Sequence, residues 1–507
     1  MKKVFLTVLS LFVFATASFA QSNTGRLVGT VSDPSGVIPG ATVVVTDNKT
    51  GKERTVVASD DGSFTVPQLE AGVYTVRITA AGHKAFAANQ VKIDTGRDYS
   101  LNATMEVGDI NATVEVTAGV DILNATNAEI SNTVSPRQIQ ELPLNGRNPI
   151  GLIQLQAGTA SNGAQATSIN GQRPSATNIV RDGLNIQDNF IRANAADFTQ
   201  QTPTTDDVAE FTVTTQNAGA EQGYGASQVS LSTPRGGGEF HGAIFEYNRN
   251  SKFGANSFFS NAQASPRTFR NFNQYGAKVG GPIWKSRGIF FFADYEATID
   301  RRSSNFFRTV LTQNARQGLF IYTPTCTAGN CPAGITPGVA RTVNIFGLTV
   351  SNPAGAPPAP TGINPVIQNR FLNAIPNGNS TVVGDQRTTT GYFLNQTNNN
   401  DRKSFTTRLD WDINSKNTFN GVWNIARETL DRPDFGDTNG FVGPQALQNS
   451  PVDFYVAAWR FTPTATFTNE VRGGYTKAFP SFPETQARQP FLLTTGTGAL
   501  AGLVTSP

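Results

Sequence analysis

The sequence has few of the side chains on which metal and redox chemistry depend. Its 507 residues include only two cysteines and two histidines. A histidine-rich metal enzyme, a structural zinc site or a disulfide scaffold needs several such residues. His83 and His241 are far apart in the chain, and we interpret both as polar surface or turn residues. The composition therefore predicts no metal and no cofactor. No nucleophile–base pair, phosphate loop or metal-ligand spacing occurs either, so we do not expect an enzyme.

Charged residues and long apolar runs are also scarce. Charged residues make up 15% of the chain and hydrophobic residues 38%, against about 25% and about 45–50% in soluble globular proteins. The net charge is +3, which gives no reason to expect a nucleic-acid partner. After residue 20 no stretch is apolar over the ~20 residues that a membrane-spanning helix needs. If the mature protein lies in a membrane, it must therefore be a β-barrel.

The first twenty residues have the pattern of a secretory signal peptide. Lys2 and Lys3 precede an apolar run at residues 4–14, and small residues stand at the last and third-last positions before Gln21. We expect cleavage after Ala20. The apolar run is shorter than a membrane-spanning helix, which disfavours an N-terminal membrane anchor. The protein is therefore expected to be exported.

Residues 21–105 consist of short β-branched or alternating segments separated by turns. Turns every ~8–12 residues are typical of a β-sandwich. Four segments resemble the carboxypeptidase regulatory-like domain, at residues 37–41, 50–51, 61–64 and 72–76. The resemblance implies an immunoglobulin-like sandwich, also classed as a carbohydrate-binding-like fold, and no peptidase activity.

Residues 106–238 combine short strands with a helix start. Ser135, followed by Pro136 and Gln138, has the pattern of a capping box with proline at the first helical position, and the helix should stop before Pro143. An Asp-Gly pair at residues 182–183, between apolar residues, predicts a tight hairpin. The mixture indicates a small α+β domain.

Three motifs in this region resemble the plug of Oar-like TonB-dependent receptors. They are Glu141-Leu142-Pro143-Leu144-Asn145-Gly146-Arg147-Asn148, Asn170-Gly171-Gln172-Arg173-Pro174 and Arg181-Asp182-Gly183, and Phe240-His241-Gly242 follows in the family's order. The resemblance implies an outer-membrane barrel closed by a plug, which opens through contact with the TonB energy-transducing complex. Arg181 departs from the usual Leu/Val-rich strand before Asp-Gly.

The plug-motif residues are Asn145, Gly146, Arg147, Arg173, Asp182 and Gly183. Their charged members are expected either to form ion pairs with the barrel wall or sense ligand, or simply to pack in the lumen. The candidate TonB-contact strand is Val114, Glu115, Val116 and Thr117, because TonB would pair with a short strand by edge addition. The alternative for this strand is a linker or a first plug strand without a partner.

Residues 239–507 are predicted to be part of a transmembrane barrel. In barrel strands, lipid-facing apolar residues alternate with lumen-facing polar residues over ~10 positions. Phe405, Leu409 and Trp411 alternate in this way with Arg408 and Asp410. About seven strands are expected, at residues 239–247, 273–282, 288–298, 405–411, 419–425, 455–461 and 467–475. A barrel plugged by a separate domain has ~22 strands, so we expect a C-terminally incomplete barrel with an open sheet edge.

The connections between these strands alternate strictly in length. Residues 282–287, 414–417 and 462–465 are short connections, whereas residues 248–272, 299–402 and 428–452 are long. Barrels of this kind have short periplasmic turns and long extracellular loops, and a soluble sandwich has no reason to alternate so. The longest loop contains Cys326 and Cys331. A local disulfide is expected outside a reducing cytosol, whereas a two-cysteine metal site would lack further ligands.

The predicted fold is therefore mainly β: an N-terminal sandwich, an α+β plug and the first part of an antiparallel barrel. The predicted function is a TonB-dependent outer-membrane receptor or transporter, with the sandwich and plug on the periplasmic side. Expected partners are the TonB complex, outer-membrane lipid and an unknown extracellular ligand, whether carbohydrate, peptide or protein. The alternative is an outer-membrane adhesin or structural surface protein. The expected transport is active uptake, with export as the alternative direction.

Overall fold

The structure is a computed structural model of the chain. It describes residues 24–108, 113–117, 128–144, 146–161, 167–187, 201–219, 222–223, 225–263, 265–327, 330–347, 362–363, 368–373, 375–433, 446–464, 467–483, 491–494 and 501–504. Within these ranges, no helix has the length and apolar character needed to cross a membrane.

The N-terminal unit is a sandwich of two five-stranded sheets. One sheet consists of β1 (Gly25–Asp33), β2 (Gly36–Val37), β5 (Ser63–Leu69), β8 (Asp98–Ser100) and β9 (Ala103–Thr104). The other consists of β3 (Thr42–Asp47), β4 (Glu53–Val57), β6 (Gly72–Thr79), β7 (Ala85–Ile93) and β10 (Thr113–Thr117), in the order β10-β7-β6-β3-β4. Alternate residues of the strands point inward, which places Leu27, Val43, Val76 and Ile78 in one buried core.

Strand β10 belongs to the sandwich and not to the plug. It runs parallel to β7, with Thr113 opposite Ala85 and Thr117 opposite Asn89. The predicted end of the sandwich at residue 105 therefore falls before the last strand of this sheet. The sequence pattern could not show this, because a five-residue strand contains no information about which distant strand it will pair with.

The second unit is the small α+β domain. Its sheet has the order β11 (Ile130–Val134), β16 (Glu210–Gln216), β17 (Ser227–Ser232), β14 (Thr177–Arg181) and β15 (Leu184–Asn185), and β12 (Thr159–Ser161) pairs separately with β13 (Thr167–Ile169). Helix α1 (Pro136–Glu141) begins at the predicted capping box: the Gln138 amide donates to Ser135 Oγ at 3.3 Å, and the Ser135 amide donates to Gln138 Oε1 at 2.8 Å. Short 3₁₀ helices span Pro149–Leu155 and Pro174–Ala176.

The predicted Asp-Gly hairpin connects β14 to β15. Arg181 pairs with Leu184, so the loop contains only Asp182 and Gly183. Their φ angles are 48° and 78°, the left-handed pair that a type I′ turn requires.

The third unit is an open antiparallel sheet of long strands. Its strands are β18 (His241–Asn250), β19 (Arg270–Trp284), β20 (Ile289–Leu311), β23 (Thr389–Thr397), β24 (Asn400–Asn414), β25 (Asn417–Asp431), β26 (Leu447–Thr464) and β27 (Phe467–Ala478). Their order is β18-β19-β20-β24-β25-β26-β27, and β23 pairs with the outer part of β20. Within the described residues β18 and β27 are the two edges and do not pair with each other. The prediction of a mainly β protein with a partial barrel is confirmed.

The two ends of this sheet differ in their connections. At the short-turn end, β19 joins β20, β24 joins β25, and β26 joins β27. At the long-loop end are the connections that follow β18, β20 and β25. Strand β20 continues to Leu311, beyond the expected end at Thr298, because its outer part pairs with β23. Its side chains there are half-buried on both faces, so the alternation that marks a strand in the sequence disappears although pairing continues.

The long-loop end also contains small local elements. They are a 3₁₀ turn at Ser251–Phe253, α2 (Phe258–Ala262), α3 (Gln313–Arg316), β21 (Leu319–Tyr322), β22 (Arg341–Asn344), a 3₁₀ turn at Ile345–Gly347 and a π turn at Gln368–Leu372. Cys326 and Cys331 form a disulfide there, with their Cα atoms 5.3 Å apart. A further strand pair, β28 (Phe491–Thr494) with β29 (Ala501–Val504), follows β27 in the sequence.

Candidate functional site in the barrel lumen

The two faces of the barrel sheet differ in polarity, as the alternation predicts. On β24, Phe405, Leu409 and Trp411 are 38–40% exposed, whereas Thr406 and Arg408 are at most 3% exposed. The exposed face carries the aromatic and aliphatic residues. The covered face packs against the plug, so it is the lumen face.

The plug motif around Arg147 forms a turn that sends one side chain to the barrel wall. Gly146 and Arg147 both have left-handed φ angles, 86° and 53°. The Arg147 guanidinium lies over the neighbouring rings of Phe245 and Tyr247 on β18, 4.6 and 4.5 Å from their centroids. It also forms ion pairs with the plug's Asp206 and, at 3.9 Å, with Glu296 of β20. Asn145 of the same motif lies outside the described residues.

Arg181 is fully buried within the plug, and its charge is fully paired. Its Nη1 donates to Asp207 Oδ2 at 3.0 Å, its Nη2 donates to the Asp207 carbonyl at 3.0 Å, and its Nε donates to Thr233 Oγ1 at 3.1 Å. Thr406 on the barrel wall donates to the same Asp207 oxygen at 3.0 Å. The charged residue that departs from the usual apolar strand therefore organises a network that connects plug to barrel.

The other plug-motif residues have different environments. Asp182 accepts hydrogen bonds from the amide and hydroxyl of Thr233, and Gly183 completes the I′ turn. Arg173 is exposed just before the 3₁₀ helix Pro174–Ala176, and no ion pair joins it to another described residue. The structure thus brings Arg147, Arg181 and Asp182 into lumen contacts and leaves Arg173 at the surface.

An apolar contact between plug and barrel was missed by the sequence reasoning. Val422 on β25 and Phe454 and Val456 on β26 face the lumen and join the buried core of the plug, which includes Ile179 and Phe211. Phe454 is completely buried. The sequence does show apolar residues on both faces of β25 and β26 around these positions, and such a pattern is typical of strands that are covered on both sides.

The sandwich contacts the barrel at its short-turn end. Glu70, in the turn between β5 and β6, accepts hydrogen bonds from Arg408 at 3.2 Å and from Arg460 at 3.0 Å. Burial raises the pKa of Glu70, but Arg408 and Arg460 lower it more, so this pKa lies well below the ordinary value. Glu70 is therefore a carboxylate that joins the sandwich to two barrel strands.

The sandwich also contacts the plug through a second carboxyl group. Glu210, at the start of β16, accepts hydrogen bonds from the amide of Thr95 at 2.7 Å and from its hydroxyl at 3.1 Å. Burial, with the charge of Asp94 nearby, raises the pKa of Glu210 to about 7. Protonation of this group near neutral pH consequently changes the charge at the sandwich–plug contact.

The candidate TonB-contact residues lie on β10, at one edge of the sandwich sheet. Val114 is half-buried against the sandwich, while the side chains of Glu115, Val116 and Thr117 lie outside what the structure describes. Strand β10 is the last strand of its sheet, so its side away from β7 has no strand partner in the described part of the chain.

The two histidines lie apart, in surface positions. His83 Nε2 is 3.1 Å from Asp33 Oδ2 in a sandwich turn, and this hydrogen bond raises the pKa of His83. His241 is largely exposed on β18 beside Glu239. Among the described residues, no group of three or more His, Cys, Asp or Glu is arranged to hold a metal ion.

The sandwich and the barrel sheet described above each match a known protein family. Residues 232–506 match the family described as outer membrane beta barrel domain, and residues 26–106 match the carboxypeptidase regulatory-like domain. Because the first match covers more than half of the chain, the protein belongs to the outer membrane beta barrel domain family and is an outer-membrane protein.

A particular relative is the TonB-dependent transporter Oar of Myxococcus xanthus, which is 26% identical over 305 residues. That match covers 57% of this chain and 28% of the relative, so the chain spans well under a third of its length. Among solved structures, the ferric enterobactin receptor of Pseudomonas aeruginosa matches with a TM-score of 0.38 and 12% identity, over 69% of this chain and 41% of that one. The alcaligin receptor of Bordetella pertussis matches with a TM-score of 0.32 and 12% identity, over 70% and 48%. The likeness to an Oar-like protein is confirmed.

Proposed function

We propose that the protein acts as a TonB-dependent outer-membrane receptor or transporter. The observation that carries this proposal is a folded plug packed against the lumen face of the barrel sheet. A protein that only adheres or supports the surface has no use for a separately folded obstruction in its lumen. The relative named as a TonB-dependent transporter supports the same function.

The plug–barrel contact contains the elements of a releasable seal. Much of it is ionic or hydrogen-bonded, as in Arg147 with Glu296 and Thr406 with Asp207. Lys278 of β19 adds an ion pair to the plug's Asp206 at 2.5 Å. Such contacts can be exchanged for water at modest net cost, so the plug could move without unfolding the barrel.

TonB is proposed to bind the free side of β10. Strand addition gives affinity through main-chain hydrogen bonds, and within the described residues β10 offers an unpaired side at the end of the sandwich sheet. The short-turn end, where the sandwich lies, would then face the periplasm, and the long-loop end would meet the extracellular ligand.

The test is a pull-down of the full chain in detergent with the periplasmic domain of TonB. Val116→Pro removes a main-chain donor in β10, and Val57→Pro makes the same change in β4 at the opposite edge of the same sheet. We expect the wild type and Val57→Pro to bind and Val116→Pro to lose binding. Binding by Val116→Pro at the wild-type level would refute β10 as the contact. A wild type that does not bind would refute TonB coupling and favour the adhesin alternative.

A further inference from the structure

The sandwich contributes one carboxylate to a row of arginines on the barrel wall. Glu70 has a side chain only 13% exposed, although it lies in a turn. One of its oxygens accepts from Arg460 at 3.0 Å and from Asn420 at 3.3 Å, and the other accepts from Arg408 at 3.2 Å. A turn residue of one unit is thus inserted between side chains of β24, β25 and β26.

Three arginines of the barrel wall pair directly with two barrel carboxylates at this place. Arg408 pairs with Asp410 at 2.8 Å on β24. Arg460 of β26 and Arg472 of β27 share Glu470, at 2.8 and 2.6 Å. In addition to these barrel carboxylates, Arg408 pairs with Asp182 of the plug at 3.8 Å, and Glu70 of the sandwich pairs with both Arg408 and Arg460. Without the sandwich, largely buried arginines would lose a partner, which is unfavourable.

Further contacts hold the sandwich on both the barrel and the segment leading into it. Lys52 Nζ lies 2.6 Å from Asp412 Oδ1 at the short-turn end. Arg235, just before the first barrel strand, donates to Asp47 of the sandwich at 3.1 Å. With Glu210 accepting from Thr95, the sandwich contacts the plug, strands β24 to β26 and the segment before β18.

The candidate TonB strand belongs to this same sandwich. Strand β10 is hydrogen-bonded in parallel to β7 over five residue pairs. A load applied to β10 therefore acts through β7 on the sandwich as well as along the chain on the plug. The sandwich therefore lies at the short-turn end, toward which the plug would leave.

We propose that the sandwich is a second closure of the barrel, held by Glu70 between Arg408 and Arg460, and that it detaches when TonB pulls on β10. This inference rests on the proposed function and adds the order of events: the sandwich leaves the barrel mouth before the plug moves. The sandwich is thus a moving part of the gate.

The experiment measures how often the covered barrel wall becomes accessible. Thr418 is a half-buried, lumen-facing residue of β25 beneath the sandwich, and Ser415 is exposed in the adjacent turn. Thr418→Cys and, as a control, Ser415→Cys are labelled with N-ethylmaleimide in outer membranes of cells with and without TonB, and labelling is read by mass spectrometry. The native cysteines are bonded to each other and do not react.

Glu70→Gln should raise the labelling rate of Thr418→Cys at least tenfold without TonB. Asp60→Asn, an exposed sandwich carboxylate changed in the same way, should leave it unchanged. The internal pair Lys84–Glu106, 3.0 Å apart, should still form a zero-length carbodiimide crosslink if the sandwich remains folded. Equal labelling rates in Glu70→Gln and Asp60→Asn would overturn the proposal.

In chains that keep the native Glu70, TonB should raise the labelling rate of Thr418→Cys and leave that of Ser415→Cys unchanged. Adding Val116→Pro should return the rate to its value without TonB. If TonB binds in the pull-down but Thr418→Cys labelling does not respond to it, the sandwich closure is wrong while the proposed function stands. If TonB does not bind at all, the proposed function itself fails.

Discussion

Replacing Phe454 by alanine should loosen the plug without opening the barrel sheet. Phe454 belongs to the barrel strand β26, yet its side chain is completely buried in the hydrophobic cluster of the plug, which includes Ile179 and Phe211. Phe→Ala changes in packed cores cost about 3–5 kcal/mol, because transfer energy is lost and a cavity remains. With a urea dependence of about 2 kcal/mol per molar, the midpoint of plug unfolding should fall by about 2 M. The barrel keeps its main-chain hydrogen bonds and should survive.

Tyr455 is the matched control, because it is the next residue on the same strand and faces the other way. It is 42% exposed on the outer face, so Tyr455→Ala should leave the plug midpoint nearly unchanged. The assay is amide hydrogen exchange of β14 and β17 as a function of urea, with heat-dependent gel mobility reporting the barrel. Exchange in the plug should accelerate by about two to four orders of magnitude in Phe454→Ala alone. Equal effects of the two substitutions would refute a plug core shared with the barrel.

Three further outcomes follow from single groups. Arg181→Met should lower plug stability, measured by urea unfolding, by about 3–5 kcal/mol because it leaves Asp207 buried without its partner. Arg173→Met at the surface should change plug stability by less than about 0.5 kcal/mol. The raised pKa of Glu210 means that the folded state holds this proton more tightly than the unfolded chain. The stabilising effect of Glu210 is therefore complete below about pH 4.5 and is lost as the pH rises to about 7, by about 3 kcal/mol at most. Glu210→Gln should narrow the difference in melting temperature between pH 5 and pH 7.5. An unchanged difference would contradict a raised pKa of Glu210. Cys326→Ser with Cys331→Ser should accelerate proteolysis in the long loop after β20 and leave barrel melting unchanged, since the bridge spans only a local turn; a lowered barrel melting temperature would show a wider role.

Local features of the fold were accessible from neighbouring residues alone. The capping box at Ser135 and the I′ hairpin at Asp182-Gly183 depend on side chains and φ preferences within a few residues. The faces of β24 were also predictable, because side-chain direction reverses at every residue of a strand. Hence Trp411 and Arg408 could be placed on opposite faces without any knowledge of the neighbouring strands.

The site itself was less accessible, because its contacts join residues far apart in the chain. Arg147 could be singled out by its motif, but its position over Phe245 and Tyr247 depends on how the plug sits against β18. Arg181 looked like a departure from an apolar strand, and only the position of Asp207 shows why a buried charge is accommodated there. A motif identifies a residue and leaves its partner undefined.

The sequence by itself determined the class of structure: short sandwich strands, a capped helix with an Asp-Gly hairpin, and barrel strands that alternate between lipid and lumen. These follow from interactions within one turn or one strand. Tertiary structure alone decided that β10 joins the sandwich sheet, that Phe454 belongs to the core of the plug, and that Glu70 meets Arg408 and Arg460 across 338 and 390 residues of chain. Such long-range pairings are selected by the burial and charge balance of the whole assembled lumen, which no local pattern of residues contains.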